Sequence, residues 1–232
     1  MGDPVRVKIC GLTRREDVVV ADGLGADYVG VVVTAGFGRS VPSGVAGSLV
    51  EGVAATPVAV LVDESVEEAA RLARGAGARV VQLHGDETAG MARALAEEGE
   101  WKIWKAVRAR DPRDILMAVE RFGDVVAAIL VEGWRDGISG GGGARLDLDL
   151  FADVLRQLPQ HIEMVLAGGL TADWVGEAVE RCAPDVVDVS SGVEIERGRK
   201  APELMRRFIA NARRASGRAR GSEPPETGKA DS

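Results

Sequence analysis

Residues 57–84 read PVAVLVDESVEEAARLARGAGARVVQLH, and this stretch contains the repeating unit of the chain. An apolar, β-branched run at 57–62 precedes a segment with helical spacing at 66–76, and a second apolar run follows at 79–84. Nearly continuous apolar runs are typical of strands that are buried on both faces of a parallel sheet. The stretch therefore predicts a strand, a helix and a second strand parallel to the first.

The same unit recurs along the whole chain. Apolar runs lie at 5–10, 28–33, 57–62, 79–84, 102–107, 125–131, 163–167 and 186–189. Segments with helical spacing and charged faces lie between and after them, at 14–24, 43–54, 66–76, 88–98, 112–122, 148–158, 171–181 and 201–214. This alternation predicts an α/β protein with a single (βα)₈ TIM barrel. A doubly wound open sheet is the alternative, but no Gly-x-Gly-x-x-Gly follows the first strand.

Length and composition predict one barrel domain at 1–215 and a disordered tail, rich in Gly, Ser, Pro and charge, at 216–232. A net charge of -7 argues against sequence-independent binding to nucleic acid or to an anionic membrane. No apolar run approaches the roughly 20 residues of a membrane span, and the first residues lack a secretory h-region, so we expect a cytoplasmic protein. The two cysteines, Cys10 and Cys182, are too few for a disulfide framework or a zinc site.

Active sites of such barrels lie at the C-terminal ends of the strands. Cys10 closes the first run, where a thiolate favoured by amides or by Lys8 would act as a general base; a small core residue is the alternative. Glu132 follows the sixth run, and partial burial there would raise its pKa and suit it to deliver a proton. His84 closes the fourth run, either as a core histidine or as a substrate contact.

Two glycine-rich turns follow the seventh and eighth runs. Gly168 and Gly169 lie in the first turn, and Ser191 and Gly192 lie in the second. Free amide N–H groups in such turns bind anions without lysine, so the pair predicts a phosphate site. Arg39, in the loop after the second strand, is the candidate partner for a substrate carboxylate, although a solvated arginine is the commoner case.

Taken together, these motifs resemble those of the phosphoribosylanthranilate isomerase family over residues 5–213. Any single block would be weak, but all of them follow in register at strand ends. The matching blocks are Lys8-Ile-Cys-Gly-Leu-Thr13, Gln82-Leu-His-Gly85, Lys105-Ala-Val107, Ala167-Gly-Gly-Leu170 and Asp188-Val-Ser-Ser-Gly-Val-Glu194. The resemblance implies an Amadori rearrangement of N-(5′-phosphoribosyl)anthranilate in tryptophan biosynthesis, with no metal or organic cofactor and with a small phosphoribosyl substrate as the partner.

The resemblance also implies roles for individual residues. The family uses an acid after the sixth strand to open the sugar ring, and here Glu132 would be that acid. Cys10 would remove the C2′ proton, and Arg39 would hold the anthranilate carboxylate. Asp188 matches a family aspartate close to the substrate, and amides near Gly168, Gly169, Ser191 and Gly192 would hold the phosphate.

One departure from the family pattern bears on function. The family acid is an aspartate, whereas this chain has Glu132, which adds one methylene and about 1.5 Å of reach; displacement of that order can cost about 100-fold in rate. A glycine block at 140–143 is recognisable, although Leu148 replaces the usual tryptophan. Two alternatives therefore stay open: the same chemistry on another N-phosphoribosyl amine, or a phosphosugar-binding barrel that has lost catalysis. The chain would act as a monomer or a homodimer.

Overall fold

The computed structural model describes residues 4–133, 147–156, 158–159 and 161–219. Parallel strands close into one barrel in chain order, from β1 to β8, and β1 pairs with β8. The strands are β1 Arg6–Ile9, β2 Tyr28–Val32, β3 Thr56–Leu61, β4 Val80–Leu83, β5 Lys102–Ala109, β6 Ala128–Gly133, β7 Glu163–Leu166 and β8 Val186–Val189. The predicted (βα)₈ barrel is confirmed, and the open-sheet alternative is wrong.

Helices alternate with the strands and surround the barrel. They are α1 Arg15–Gly23, α2 Ser43–Val50, α3 Val66–Gly75, α4 Ala89–Glu97, α5 Pro112–Phe122, α6 Leu148–Arg156, α7 Val175–Cys182 and α8 Pro202–Ala219. A short 3₁₀ turn, Ser191–Val193, and a small antiparallel pair, β9 Glu194–Glu196 with β10 Arg199–Lys200, lie between β8 and α8. None of the helices in the described ranges is long and apolar enough to cross a membrane.

Two boundaries differ from the prediction for local reasons. The sixth strand, predicted at 125–131, is Ala128–Gly133, because Val125 and Val126 donate to the Phe122 carbonyl in the turn after α5. Glu132 therefore lies within β6, opposite Arg108 of β5. Helix α2, predicted at 43–54, ends at Val50, and Gly52 then takes a left-handed φ of 71°.

The core has an inner and an outer layer that share the strands. On β6, Ala128 and Leu130 lie in the inner cluster with Trp104, whereas Ile129 and Val131 belong to the outer cluster packed against the helices. Because side chains alternate between the faces of a strand, Glu132 continues the inner row. The barrel wall thus directs this carboxylate toward the mouth.

The first strand follows the same alternation. Val7 and Ile9 belong to the outer cluster, so Lys8 and Cys10 point into the barrel. The Cys10 amide donates to the Val189 carbonyl at 2.8 Å, which extends the pairing with β8 by one residue. Cys182 is 1% exposed in the outer cluster, as expected of a core residue.

The helix N-termini differ in how they are capped. Ser65 caps α3 by accepting from the Glu68 amide at 3.2 Å, which satisfies one of the free amides of the first turn. Helix α1 is preceded by Arg14 and α7 by Trp174, neither with a side-chain cap bond.

The C-terminal end of the chain is described as far as α8. Ser216, the first residue of the predicted tail, lies in this helix, and its hydroxyl accepts from the Val5 amide at 3.0 Å. Residues 220–232 and the glycine block at 140–143 lie outside the described residues. The proposed division at residue 215 stays a prediction.

Candidate active site

Lys8 and Cys10 of the first strand lie beside Asp188 of β8 inside the barrel. The Lys8 ammonium is fully buried and donates to Asp188 Oδ1 at 3.0 Å, which is the partner that a buried charge requires. A Cβ built on Gly30 would lie 3.0 Å from Cys10 Sγ and 3.2 Å from Lys8 Nζ. Glycine at this position of β2 therefore leaves room for the thiol and the ammonium to face each other.

The protonation of Cys10 is set by opposing neighbours. Burial is the largest influence and raises the pKa of the Cys10 thiol, while Lys8 lowers it in part and Asp188 raises it again. The net direction is upward from the ordinary thiol value. The Lys8 side chain does point toward the thiol, as the base hypothesis requires, but it offsets burial only in part.

Arg39 is a paired residue rather than a solvated one. Its Nε and Nη2 donate to the two carboxylate oxygens of Glu194 at 2.8 and 2.7 Å, and the Arg39 side chain is 16% exposed. The buried Lys200 ammonium donates to the same carboxylate at 2.9 Å. Arg39 therefore lies next to β1 and β8 as part of a charged cluster.

Glu132 faces the opposite part of the mouth with two cationic or donor partners. Its Oε1 lies 3.3 Å from His84 Nε2 and 3.2 Å from Arg108 Nε, and Arg108 Nη2 also donates to the His84 carbonyl at 3.2 Å. The Glu132 side chain is 16% exposed. The structure thus brings together His84 and Glu132, two of the residues proposed from the sequence.

The sequence predicts that the pKa of Glu132 is raised, and this prediction is wrong. Burial alone would raise the pKa, but the hydrogen bond and charge of His84, together with those of Arg108, bring it below the ordinary value for glutamate. Partial burial was visible from the apolar run that precedes Glu132. Its partners, His84 directly after β4 and Arg108 in β5, could not be identified from the sequence.

A second network holds the loop after β4, where His84 lies. The buried Lys105 ammonium donates to the Gly85 carbonyl at 2.7 Å and to Glu87 at 2.9 Å. Glu87 in turn accepts from the amides of Gly85 and Asp63, at 2.9 and 3.1 Å. In addition, Gln82 Nε2 lies 2.8 Å from His84 Nδ1. The imidazole is fixed from both sides, by Gln82 and by Glu132.

The two glycine turns lie against each other. Gly168 and Gly169 have φ values of 85° and 63°, which favour glycine. A Cβ on Gly192 would lie 1.9 Å from the Leu170 carbonyl oxygen, so only glycine fits where the second turn meets the first. Ser191 and Gly192 lie in the 3₁₀ turn directly after β8. The predicted phosphate residues are therefore neighbours in space.

The sequence reasoning missed several residues of this site. The sequence patterns assign no role to Glu194, Lys105, Arg108, Gln82 or Lys200. Lys105 and Gln82 could have been identified from the sequence, because a lysine or a glutamine inside an apolar run must find a buried partner. Within the described ranges, no group of three or more His, Cys, Asp or Glu side chains is placed to hold a metal ion.

A closed parallel barrel with a thiol, a carboxylate and clustered cations at the C-terminal ends of its strands defines a (βα)₈-barrel enzyme with an acid–base site. The family model described as N-(5′-phosphoribosyl)anthranilate (PRA) isomerase matches residues 7–211. The chain belongs to this family.

Curated relatives and solved structures agree with this assignment. The N-(5′-phosphoribosyl)anthranilate isomerase of Halorubrum lacusprofundi is 40% identical over 213 residues, which cover 90% of this chain and 97% of the relative. The phosphoribosyl anthranilate isomerase of Thermotoga maritima superposes with a TM-score of 0.80 at 33% identity, covering 90% of this chain and 98% of that one. Another solved phosphoribosyl anthranilate isomerase is in complex with reduced 1-(o-carboxyphenylamino)-1-deoxyribulose 5-phosphate, at 32% identity, a TM-score of 0.76, and coverage of 90% and 98%.

Proposed function

We propose that this barrel isomerises N-(5′-phosphoribosyl)anthranilate to 1-(2-carboxyphenylamino)-1-deoxyribulose 5-phosphate in tryptophan biosynthesis, with Glu132 as general acid and Cys10 as general base. Family membership carries the reaction. The observation that carries the residue roles is the presence of the thiol and the carboxylate in the inner rows of β1 and β6, at the same end of the barrel. The two groups can then act on one substrate bound across the mouth.

The first step of the reaction opens the ribose ring. The bond between C1′ and the ring oxygen breaks, its electron pair goes to the oxygen, and the oxygen takes the proton of Glu132. The nitrogen lone pair of the substrate then forms a Schiff base with C1′. His84 and Arg108 position the carboxyl group for this transfer, because both contact the same oxygen, Oε1.

The second step removes the C2′ proton. The Cys10 thiolate takes this proton, the electron pair of the C–H bond forms a C1′–C2′ double bond, and the π electrons of the protonated C=N bond return to the nitrogen. The resulting enolamine then tautomerises to the ketone of the product. Lys8 supports this step, since an ammonium that faces the sulfur favours the thiolate over the thiol.

The two anionic ends of the substrate have separate binding sites in this proposal. The Arg39 guanidinium binds the anthranilate carboxylate, and the amides near Gly168, Gly169, Ser191 and Gly192 bind the phosphate. Asp188, which accepts from the Lys8 ammonium at 3.0 Å, contacts the sugar in this proposal, as the family resemblance implies. His84 also contacts the substrate in this proposal, and its Nε2 lies 3.3 Å from Glu132 Oε1.

We further propose that the protein works in the cytoplasm as a monomer or a homodimer, without nucleic acid. A solved relative is described as mutually generated monomers of a dimeric phosphoribosylanthranilate isomerase from Thermotoga maritima, so both forms are compatible with this family's fold. Size-exclusion chromatography with light scattering would decide between the two states.

The test of the proposed function is steady-state turnover of the purified protein on N-(5′-phosphoribosyl)anthranilate, followed by anthranilate fluorescence, with Glu132→Asp assayed beside the parent. We expect turnover by the parent, and a change of up to about 100-fold in either direction for Glu132→Asp, because the carboxyl group moves by one methylene. An inactive parent that Glu132→Asp restores would indicate a changed substrate or a decayed enzyme. An inactive parent that is not restored would contradict the proposal.

A further inference from the structure

We propose that Glu194 is the residue that orients Arg39 for recognition of the substrate carboxylate, with Lys200 as its buried anchor. The inference rests on the proposed function, because it gives a partner to the arginine that binds the carboxylate. Glu194 itself does not touch substrate in this account and is a positioning residue.

The orientation of Arg39 follows from which of its donors Glu194 occupies. A guanidinium presents five N–H donors in a planar fork, and Glu194 takes the edge formed by Nε and Nη2, at 2.8 and 2.7 Å. Among the described residues, Nη1 has no hydrogen-bond acceptor. The edge formed by Nη1 and the remaining Nη2 hydrogen is therefore available to bind a second carboxylate with two parallel hydrogen bonds.

The charges of the cluster also suit a second carboxylate. Arg39 and Lys200 supply two cations, and the Glu194 carboxylate contacts both of them. The Glu194 side chain is 6% exposed, so its carboxylate is desolvated and its two ion pairs are poorly screened. The three groups together carry one net positive charge, which an arriving carboxylate would neutralise.

Lys200 fixes Glu194 and connects it to the phosphate end of the site. Its ammonium, with a fully buried side chain, donates to Glu194 at 2.9 Å and to the Ser190 carbonyl at 3.1 Å. Its own amide donates to Asp17 at 3.0 Å. Because Ser190 directly precedes the turn that contains Ser191, one buried ammonium sets the position of both anion-binding elements.

The backbone around the cluster is shaped to receive the arginine. A Cβ on Gly11, which has a φ of 67°, would lie 2.6 Å from Arg39 Cδ and 2.8 Å from Ser190 Oγ. The stem of Arg39 thus lies directly over the end of β1, beside Cys10. The Thr13 hydroxyl donates to the Gly198 carbonyl at 2.6 Å and ties the turn between β9 and β10 to the same loop.

The test compares two substrates that differ only in the carboxylate: N-(5′-phosphoribosyl)anthranilate and N-(5′-phosphoribosyl)aniline, with product formation followed by chromatography. Glu194→Gln keeps the shape but turns one Arg39 acceptor into a donor, so the guanidinium loses its alignment. We expect the preference for the carboxylated substrate in kcat/KM to fall about 10- to 100-fold, the range for hydrogen bonds to charged groups. The loss should appear mainly in KM, while turnover of the aniline substrate stays within about threefold of the parent.

Glu196→Gln is the matched control, because Glu196 lies in the same strand, β9, with its side chain 67% exposed and paired only with Arg199 among the described residues. It should retain the parent's preference. Glu194→Asp is the second variant: it keeps the negative charge of the cluster but shortens the side chain by one methylene, which weakens the contact with Arg39, so we expect an intermediate loss of preference.

The outcomes separate this inference from the function on which it rests. If a folded Glu194→Gln and Glu194→Asp both keep the parent's preference for the carboxylated substrate, Glu194 has only a structural role and the inference is wrong. If the parent itself fails to convert the carboxylated substrate, the proposed function fails first. An equal loss on both substrates would also contradict the inference, since it would show general damage to the site.

Discussion

Each side of the barrel mouth holds one buried ionisable group, and the pKa values of the two groups are shifted in opposite directions. On the side of β1 and β8, a buried thiol lies near three cations, Lys8, Arg39 and Lys200, yet its pKa is raised because burial outweighs them. On the side of β4 to β6, Glu132 is also desolvated, but its direct contacts with His84 and Arg108 outweigh burial and lower its pKa. The thiol also faces Asp188, whose negative charge raises its pKa further, whereas both partners of Glu132 lower the pKa of the carboxyl group.

This difference determines which protonation state predominates in the resting enzyme. With the thiol pKa raised and the carboxyl pKa lowered, the enzyme at neutral pH holds a thiol and a carboxylate. The proposed mechanism needs a thiolate at Cys10 and a carboxylic acid at Glu132, and this form carries the same number of protons in the opposite positions. The active form is therefore a minor tautomer of the predominant state, and the plateau of kcat/KM extends from the pKa of Glu132 to that of Cys10.

The largest expected effect is the loss of either group. We expect Cys10→Ser and Glu132→Gln each to lower kcat by about 10²–10⁴-fold without loss of the fold, the usual contribution of general acid–base catalysis. Steady-state fluorescence assays and circular dichroism would measure the two quantities. Cys182→Ser, in the outer core, is the control for removal of a thiol, and near-parent activity in Cys10→Ser or Glu132→Gln would remove that residue from the mechanism.

An intermediate effect is expected when Lys8 is removed. In Lys8→Met the Cys10 thiol loses the nearby positive charge that lowers its pKa, so this pKa rises. The alkaline limb of kcat/KM then moves to higher pH, while the plateau falls because the active tautomer becomes rarer. The pH dependence of Cys10 alkylation by iodoacetamide, in a Cys182→Ser background, measures the shift directly.

Lys8→Met leaves Asp188 without its buried partner, which can cost about 3–5 kcal/mol of stability. The double variant Lys8→Met/Asp188→Asn removes both charges and is the control for folding. Because Asp188 raises the thiol pKa, the double variant should show a smaller upward shift than Lys8→Met alone. An alkylation profile that does not move in either variant would show that Lys8 has no influence on the thiol.

The smallest effect is expected on the other side of the mouth. Arg108→Met removes one of two groups that lower the Glu132 pKa, so this pKa rises. The acidic limb of kcat/KM should then move to higher pH, and the shift is expected to be small because Arg108 is partly exposed and screened. The plateau should rise by the corresponding factor as the active tautomer becomes more common, whereas exposed Arg113→Met leaves the profile unchanged. A falling plateau would indicate that Arg108 binds substrate.

The fold was predictable because its signal is local and repeated. Each apolar run and each helical segment carries its own periodicity, and the alternation on β1 alone directs Lys8 and Cys10 inward. The pairs that tune the site are not local: Arg39 and Glu194 are 155 residues apart, and Glu132 is 24 residues from Arg108. Their contacts follow from closure of the barrel, so the pKa direction of Glu132 required the structure.

The assignment of Cys10 as the base and Glu132 as the acid is tested most directly by a kinetic isotope effect. The substrate is deuterated at C2′, and the effect on kcat/KM is measured for Cys10→Ser and for Glu132→Gln. If Cys10 removes the C2′ proton and Glu132 opens the ring, C–H cleavage limits the first variant, which should show a full primary isotope effect. Ring opening limits the second, whose isotope effect should fall close to unity. Equal isotope effects in the two variants, or the reverse order, would contradict the assignment of base and acid.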